Sequence, residues 1–156
     1  MIIDDSLMKD ALATLRKWCA IQERCQQESF FKMRKLGLTA EQSEQAIGQL
    51  ISEGFINEER FARTFARGKF RIKKWGRRKI LFELKKKKIS EYCIRRALQE
   101  IDGGDYQYTL NELIRKKSKD IKDGDLHVRN RKLASFLISK GFESELVREA
   151  LHADEE

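Results

Sequence analysis

The chain has 156 residues, with 33 Lys or Arg against 25 Asp or Glu, a formal net charge of +8 and a charged fraction of 37%. A chain of this length buries roughly two-thirds of its unfolded surface, enough for one domain or a few stacked helical units, and no apolar run approaches the ~18 residues of a membrane span. The opening MIIDDSLMKD lacks the cationic start and apolar core of a secretory signal, and Cys19, Cys25 and Cys93 form an odd set without CxxC spacing that indicates neither a disulfide framework nor a zinc site, so a soluble, cytoplasmic protein is expected.

Proline is absent, so no helix is interrupted by a lost amide or a ring clash, and no strand-like alternation competes with the helical period. The periodicity predicts helices over 6–24, 27–36 and 40–53, then over 57–74, 76–88 and 90–101, then over 104–119, 126–140 and 143–152. Gly37, Gly54, Gly76, Gly103 with Gly104, Gly124 and Gly141 punctuate the ends of these segments, where a cap of positive φ suits glycine. Thr39, Asn57 and Ser90 are N-cap candidates whose side-chain oxygens accept from first-turn amides.

The helices repeat in threes. Aligning Gly37, Lys88 and Gly141, which lie 51 and 53 residues apart, places Met33, Leu84 and Leu137 four residues earlier, and Ala46-Ile47, Ala97-Leu98 and Ala150-Leu151 nine and ten residues later. The shared turn position favours true repetition over coincident periodicity. The expected fold is all-α: three tandem three-helix repeats, over 1–54, 55–102 and 103–156 with an acidic tail, stacked into an elongated curved body. Such a body offers a long surface instead of a pocket.

Charge is concentrated in the middle repeat. Residues 60–100 hold sixteen Lys or Arg against three Glu, a net +13, and the remainder carries −5. With ~100° per residue, Arg60, Arg63, Arg67, Arg71 and Lys74 share an arc of about 80°, and Phe61, Phe65 and Ile72 fall opposite, as a face to bury. On the next helix Arg77, Arg78, Lys79, Lys85 and Lys86 extend the patch, away from Ile80, Leu81 and Leu84. Cations crowded on one arc repel each other and gain little from folding, which favours contact with phosphates or acidic side chains over a solvated surface. For the run Lys85 to Lys88 a plain solvated face is an equal alternative. Phe70 and Phe82 sit among these cations, either to pack on a neighbouring helix or to stack on exposed bases; Trp75 beside Gly76 is read as packing in the turn.

The segment Gly54-Phe55-Ile56-Asn57-Glu58-Glu59-Arg60-Phe61-Ala62-Arg63-Thr64-Phe65, followed by Gly76, Ile80, Glu83-Leu84 and Lys87-Lys88-Ile89, resembles the RecX family of recombinase regulators. The match is specific over residues 54–98; Arg24 to Gly37 with Ala46-Ile47 resembles the family's first unit, and residues 104–152 a divergent third. Asn57 stands where the family usually has aspartate, and Lys88 where it usually has glycine. The resemblance implies a protein that binds the RecA–DNA filament, lies along its groove and restrains its ATPase, coprotease and strand-exchange activities.

No enzymatic motif competes with that reading. His127 and His152 are isolated, the acidic groups Asp4-Asp5, Asp120 with Asp123 and Asp125, and Asp154-Glu155-Glu156 lack the ligand spacing of a calcium loop, and there is no P-loop, dinucleotide fingerprint or HExxH. No catalytic residue, metal or cofactor is expected, and the protein is expected to be a monomer. The alternative function is a DNA-binding module, helix-turn-helix-like, acting on single- or double-stranded DNA without RecA and without sequence specificity, since the third helices of the repeats show no strong set of base-reading side chains.

Overall fold

The computed structural model describes residues 5–153, and every regular element among them is helical. α1 (Asp5–Ile21), α2 (Gln26–Lys35) and α3 (Ala40–Ser52) form one triplet; α4 (Glu58–Lys73), α5 (Arg77–Lys86) and α6 (Glu91–Leu98) a second; α7 (Gly103–Ser118), α8 (Leu126–Ser139) and α9 (Ser144–His152) a third. Each extensive helix–helix packing falls within one triplet. A compact globule of this mass exposes roughly 8,200 Å², whereas this chain exposes 10078 Å², the excess surface of units set in a row. The acidic tail Asp154-Glu155-Glu156, like Asp4, lies outside the described residues.

The three aligned turns are built alike. Gly37, Lys88 and Gly141 all have positive φ, at 101°, 63° and 101°. In each, the amide of the following residue reaches back over the turn: Leu38 N donates to Met33 O at 3.2 Å, Ile89 N to Leu84 O at 3.2 Å, and Phe142 N to Leu137 O at 3.1 Å. This satisfies a terminal carbonyl and folds an apolar residue under the helix end, and Met33, Leu84 and Leu137, with Leu38, Ile89 and Phe142, are all buried. Lys88 therefore keeps the geometry of its glycine counterparts despite its Cβ. A left-handed lysine costs about 1–2 kcal/mol, part of which glycine loses again through its freer unfolded chain. Lys88→Gly is expected to stabilise the protein by about 0.5–1 kcal/mol, read as a higher urea midpoint with unchanged m-value.

Helix starts follow the caps: Thr39, Asn57 and Ser90 accept from Gln42 N, Arg60 N and Cys93 N. α1 ends at Ile21, short of the expected 24, because the next residues serve α2. Cys25 N donates to Glu28 Oε1 at 2.7 Å, and Arg24 turns back to lay its guanidinium 4.2 Å above the Trp18 ring. All three cysteines are free and buried, and burial pushes their thiols up from the ordinary range.

The two joints between triplets differ in kind. The second and third share one apolar cluster, crossed by an aromatic row in which Tyr106 of α7 lies 5.8 Å from Phe70 of α4 and 5.1 Å from Phe142. Backbone meets backbone there as well: Gly76 N donates to Lys140 O at 2.7 Å and Arg78 N to Gly141 O at 2.9 Å. The first triplet has its own cluster around Leu15, Met33, Leu38 and Leu50. At its joint to the second, Cys25 inserts into the second triplet's apolar cluster, and Arg60 donates to Glu23 at 2.5 Å and to the carbonyls of Gly54 and Phe55 at 2.9 and 3.4 Å.

Candidate functional site

The α4 helix buries Phe61, Ala62, Ala66 and Phe70. The stripe is rotated from the expected Phe61–Phe65–Ile72 face, because α4 also meets the third triplet through Phe70. Of its two alternatives Phe70 takes packing, at 7% exposure in the core, which removes it as a base-stacking candidate, and the expectation for Ile72 is corrected: it is 78% exposed instead of buried. Phe82 of α5 does face outward, at 61% exposure, with the Lys86 ammonium 5.4 Å from its ring.

Eight of the ten basic positions fall into two sets, with Lys79 and Lys86 between them. Arg60, Arg63 and Arg77 are held by carboxylates of the same chain. Arg60 pairs with Glu23; Arg63 donates to Glu59 at 3.2 Å, with Glu100 at 3.7 Å; Arg77 pairs with Glu143 at 2.8 Å while its guanidinium lies 3.8 Å over the Tyr106 ring. Tyr106 completes that knot by donating to Glu143 and accepting from Arg77 N at 3.0 Å; burial, then the carboxylate beside it, pushes its phenol well above the ordinary range. The charge of these three arginines is thus partly engaged within the chain, unlike that of the other set.

Arg67, Arg71, Lys74, Arg78 and Lys85 are exposed and make no ion pair among the described residues. Lys74 lies just past the helix rather than on it, as a C-cap with φ 59°. Lys86 has only Glu83, at 3.5 Å, an exposed pair of little worth. Lys79 sits 4.6 Å from the Trp75 ring. On α5, Arg78, Phe82 and Lys85 share an arc of about 60°, an open basic face of that helix.

Further cations join this surface that the periodicity did not single out. Lys69 lies 4.9 Å from Trp75 and 5.5 Å from Phe65, and Lys87 5.9 Å from Phe65. The Phe65 and Lys69 spacing of four residues on one helix was the available signal. Lys140 arrives from the third triplet and donates to Lys73 O at 2.9 Å, where burial, then the ammoniums of Lys79 and Lys73, push it below the usual lysine range. Cations near the end of α4 gain about 0.3–1 kcal/mol each from the helix dipole, too little to account for so many without a partner. In the third triplet His127 and His152, isolated in sequence, line one groove of about 430 Å³ with Arg131 and Arg148. No group of His, Cys, Asp or Glu among the described residues has the arrangement of a metal site, and none of their helices is long and apolar enough to cross a membrane.

Comparison with known proteins gives a consistent result. Residues 57–98 match the family model described as RecX, second three-helix domain, and residues 105–151 the one described as RecX, third three-helix domain. The chain is 30% identical over 149 residues to the regulatory protein RecX of Prosthecochloris aestuarii, covering 96% of each. With that of Chlorobium limicola it shares 27% over 147 residues, covering 94% of this chain and 91% of the other. Its fold is similar to the crystal structure of RecX from Lactobacillus salivarius, with a TM-score of 0.84 at 19% identity over 96% of this chain and 97% of that one. A second crystal structure of regulatory protein RecX gives 0.83 at 18%, over 96% and 78%.

Proposed function

The chain belongs to the RecX family of regulatory proteins, and from that premise we propose that it binds the RecA–DNA filament through the open cations of α4 and α5 and lowers or modulates RecA's ATPase, coprotease and strand-exchange activities. The observation that carries this reading is the division of the basic residues: carboxylates of the chain pair with Arg60, Arg63 and Arg77, and Arg67, Arg71, Lys74, Arg78 and Lys85 are exposed with no ion pair among the described residues. Arginine's planar fork suits the carboxylates of a filament groove as well as phosphate. The protein performs no chemistry of its own in this reading. It acts in the cytoplasm as a monomer without cofactor, and its binding energy favours one state of the filament over others. Units in a row span more than one filament subunit.

The second reading is a DNA-binding module independent of RecA, favoured by the same cations. Binding to about five phosphates would give a log–log salt slope of about −4.5 on duplex DNA. The two readings separate in one titration. Affinity for RecA filaments on poly(dT) is expected to exceed affinity for bare poly(dT) at least about tenfold at 150 mM salt, a gap of ~1.4 kcal/mol. Equal affinities would move the assignment to the DNA module.

A further inference from the structure

Beside the basic strip, α4 carries a shallow groove of about 200 Å³ whose lining includes Phe61, Phe65, Gly68, Lys69, Ile72 and Lys73, closed on the far side by Gln22 and Glu23 between α1 and α2. Phe61 is buried at its base and Phe65 is half-buried, whereas the outer apolar residue is open to solvent. Ile72 is 78% exposed, and Ile21, which immediately precedes Gln22, is 81% exposed. Gly68 is the unexpected member. It lies inside α4, where glycine costs about 1 kcal/mol relative to alanine, and a Cβ placed on it would meet nothing within 4 Å. Packing within the chain therefore does not require glycine at this position; its effect is to leave the floor of the groove open to another molecule. The one carboxylate of the lining, Glu23, is bound to Arg60 through one oxygen while the other is buried, so the exposed rim is cationic, through Lys69 and Lys73.

Resting on the filament-binding reading, we propose that this groove receives a bulky apolar side chain of the filament's protein component, flanked by carboxylates that meet Lys69 and Lys73. The α4 face thus recognises protein, and the neighbouring strip of Arg67 and Arg71 extends the same contact. An acidic segment with an apolar tip matches both the rim and the floor. A nucleotide base matches neither: Ile72 and Gly68 offer no ring to stack on, and the Phe65 ring is engaged by Lys69 on its face and by Trp75 at 6.2 Å.

Gly68→Leu fills the floor and Ile72→Glu sets a carboxylate in it; both positions leave the helix intact, as circular dichroism should verify. Each variant is expected to bind RecA filaments on poly(dT) about tenfold or more weakly and bare poly(dT) as wild type does. Unchanged filament binding by both variants, with wild type binding normally, overturns the groove alone. Equal losses on filament and on bare DNA overturn it in favour of a nucleotide site. If wild type itself fails to bind filaments, the filament reading and the groove fall together.

Discussion

Gly76→Ala is expected to cost about 3 kcal/mol or more, although it adds a single methyl group. A Cβ at Gly76 would overlap Gly141 C and Phe142 N, which are backbone atoms of the third triplet with no rotamer to yield. Relief requires the two triplets to part, which breaks the Gly76 N to Lys140 O and Arg78 N to Gly141 O bonds and opens the Phe70–Tyr106–Phe142 row. Gly141→Ala should do the same for two reasons: its φ of 101° is hostile to any Cβ, and that Cβ would lie 2.6 Å from Lys79 N. The check is urea unfolding with amide exchange over residues 103–152, where protection should fall first. Gly68→Ala is the control, expected to gain up to about 1 kcal/mol because its site is open. A midpoint for Gly76→Ala within error of wild type would mean that the triplets do not meet through these glycines.

The second large effect separates the two sets of cations. Reversing Arg67, Arg71 and Lys74 to glutamate should weaken filament binding about a hundredfold, or ~2.7 kcal/mol, with helicity retained, because none of the three has a carboxylate to lose. The folding cost is confined to the helix dipole at the end of α4, about 0.3–1 kcal/mol per position. Arg60→Ala and Arg77→Ala should behave in the opposite way. Arg60 holds Glu23 and two carbonyls at the joint of the first two triplets, and Arg77 holds Glu143 and the Tyr106 ring at the joint of the last two. Each is expected to cost about 1–3 kcal/mol of stability and to affect binding only through the shape of the joint. Filament affinity and urea midpoints for both sets give a crossed pattern; one uniform pattern would show that the division has no functional meaning.

What could be read in advance, and what could not, follows the range of the interactions. Helix order, the Thr39, Asn57 and Ser90 caps and the three turns are local and follow from a 3.6 period without proline and the residues that flank it. Gly76, Gly103, Gly104 and Gly124, however, do not take the positive φ expected of them: Gly76 caps the start of α5, and Gly103 and Gly104 open α7. At Lys88 the spacing of Leu84 and Ile89 marks the turn's position, and of the two geometries open to it the structure takes the left-handed one found at Gly37 and Gly141. The fate of the arginines is not local. Arg60 meets Glu23 across 37 positions and Arg77 meets Glu143 across 66, so charge and period alone treat them like Arg67. The buried side of α4 was missed for a related reason. Two large apolar residues, Phe65 and Ile72, outweighed Ala62 and Ala66 in the periodicity, whereas packing against α6 at close range wants the alanines and leaves Ile72 outside.

The most direct measurement of the central claim is ATP hydrolysis by RecA on single-stranded DNA as this protein is added. The rate should fall with increasing protein, the effect should weaken with salt, and the Arg67, Arg71, Lys74 triple reversal should leave hydrolysis near its uninhibited level at the same concentrations. Hydrolysis and filament lifetime unchanged at a large excess of wild-type protein, or equal inhibition by wild type and the triple variant, would contradict the account.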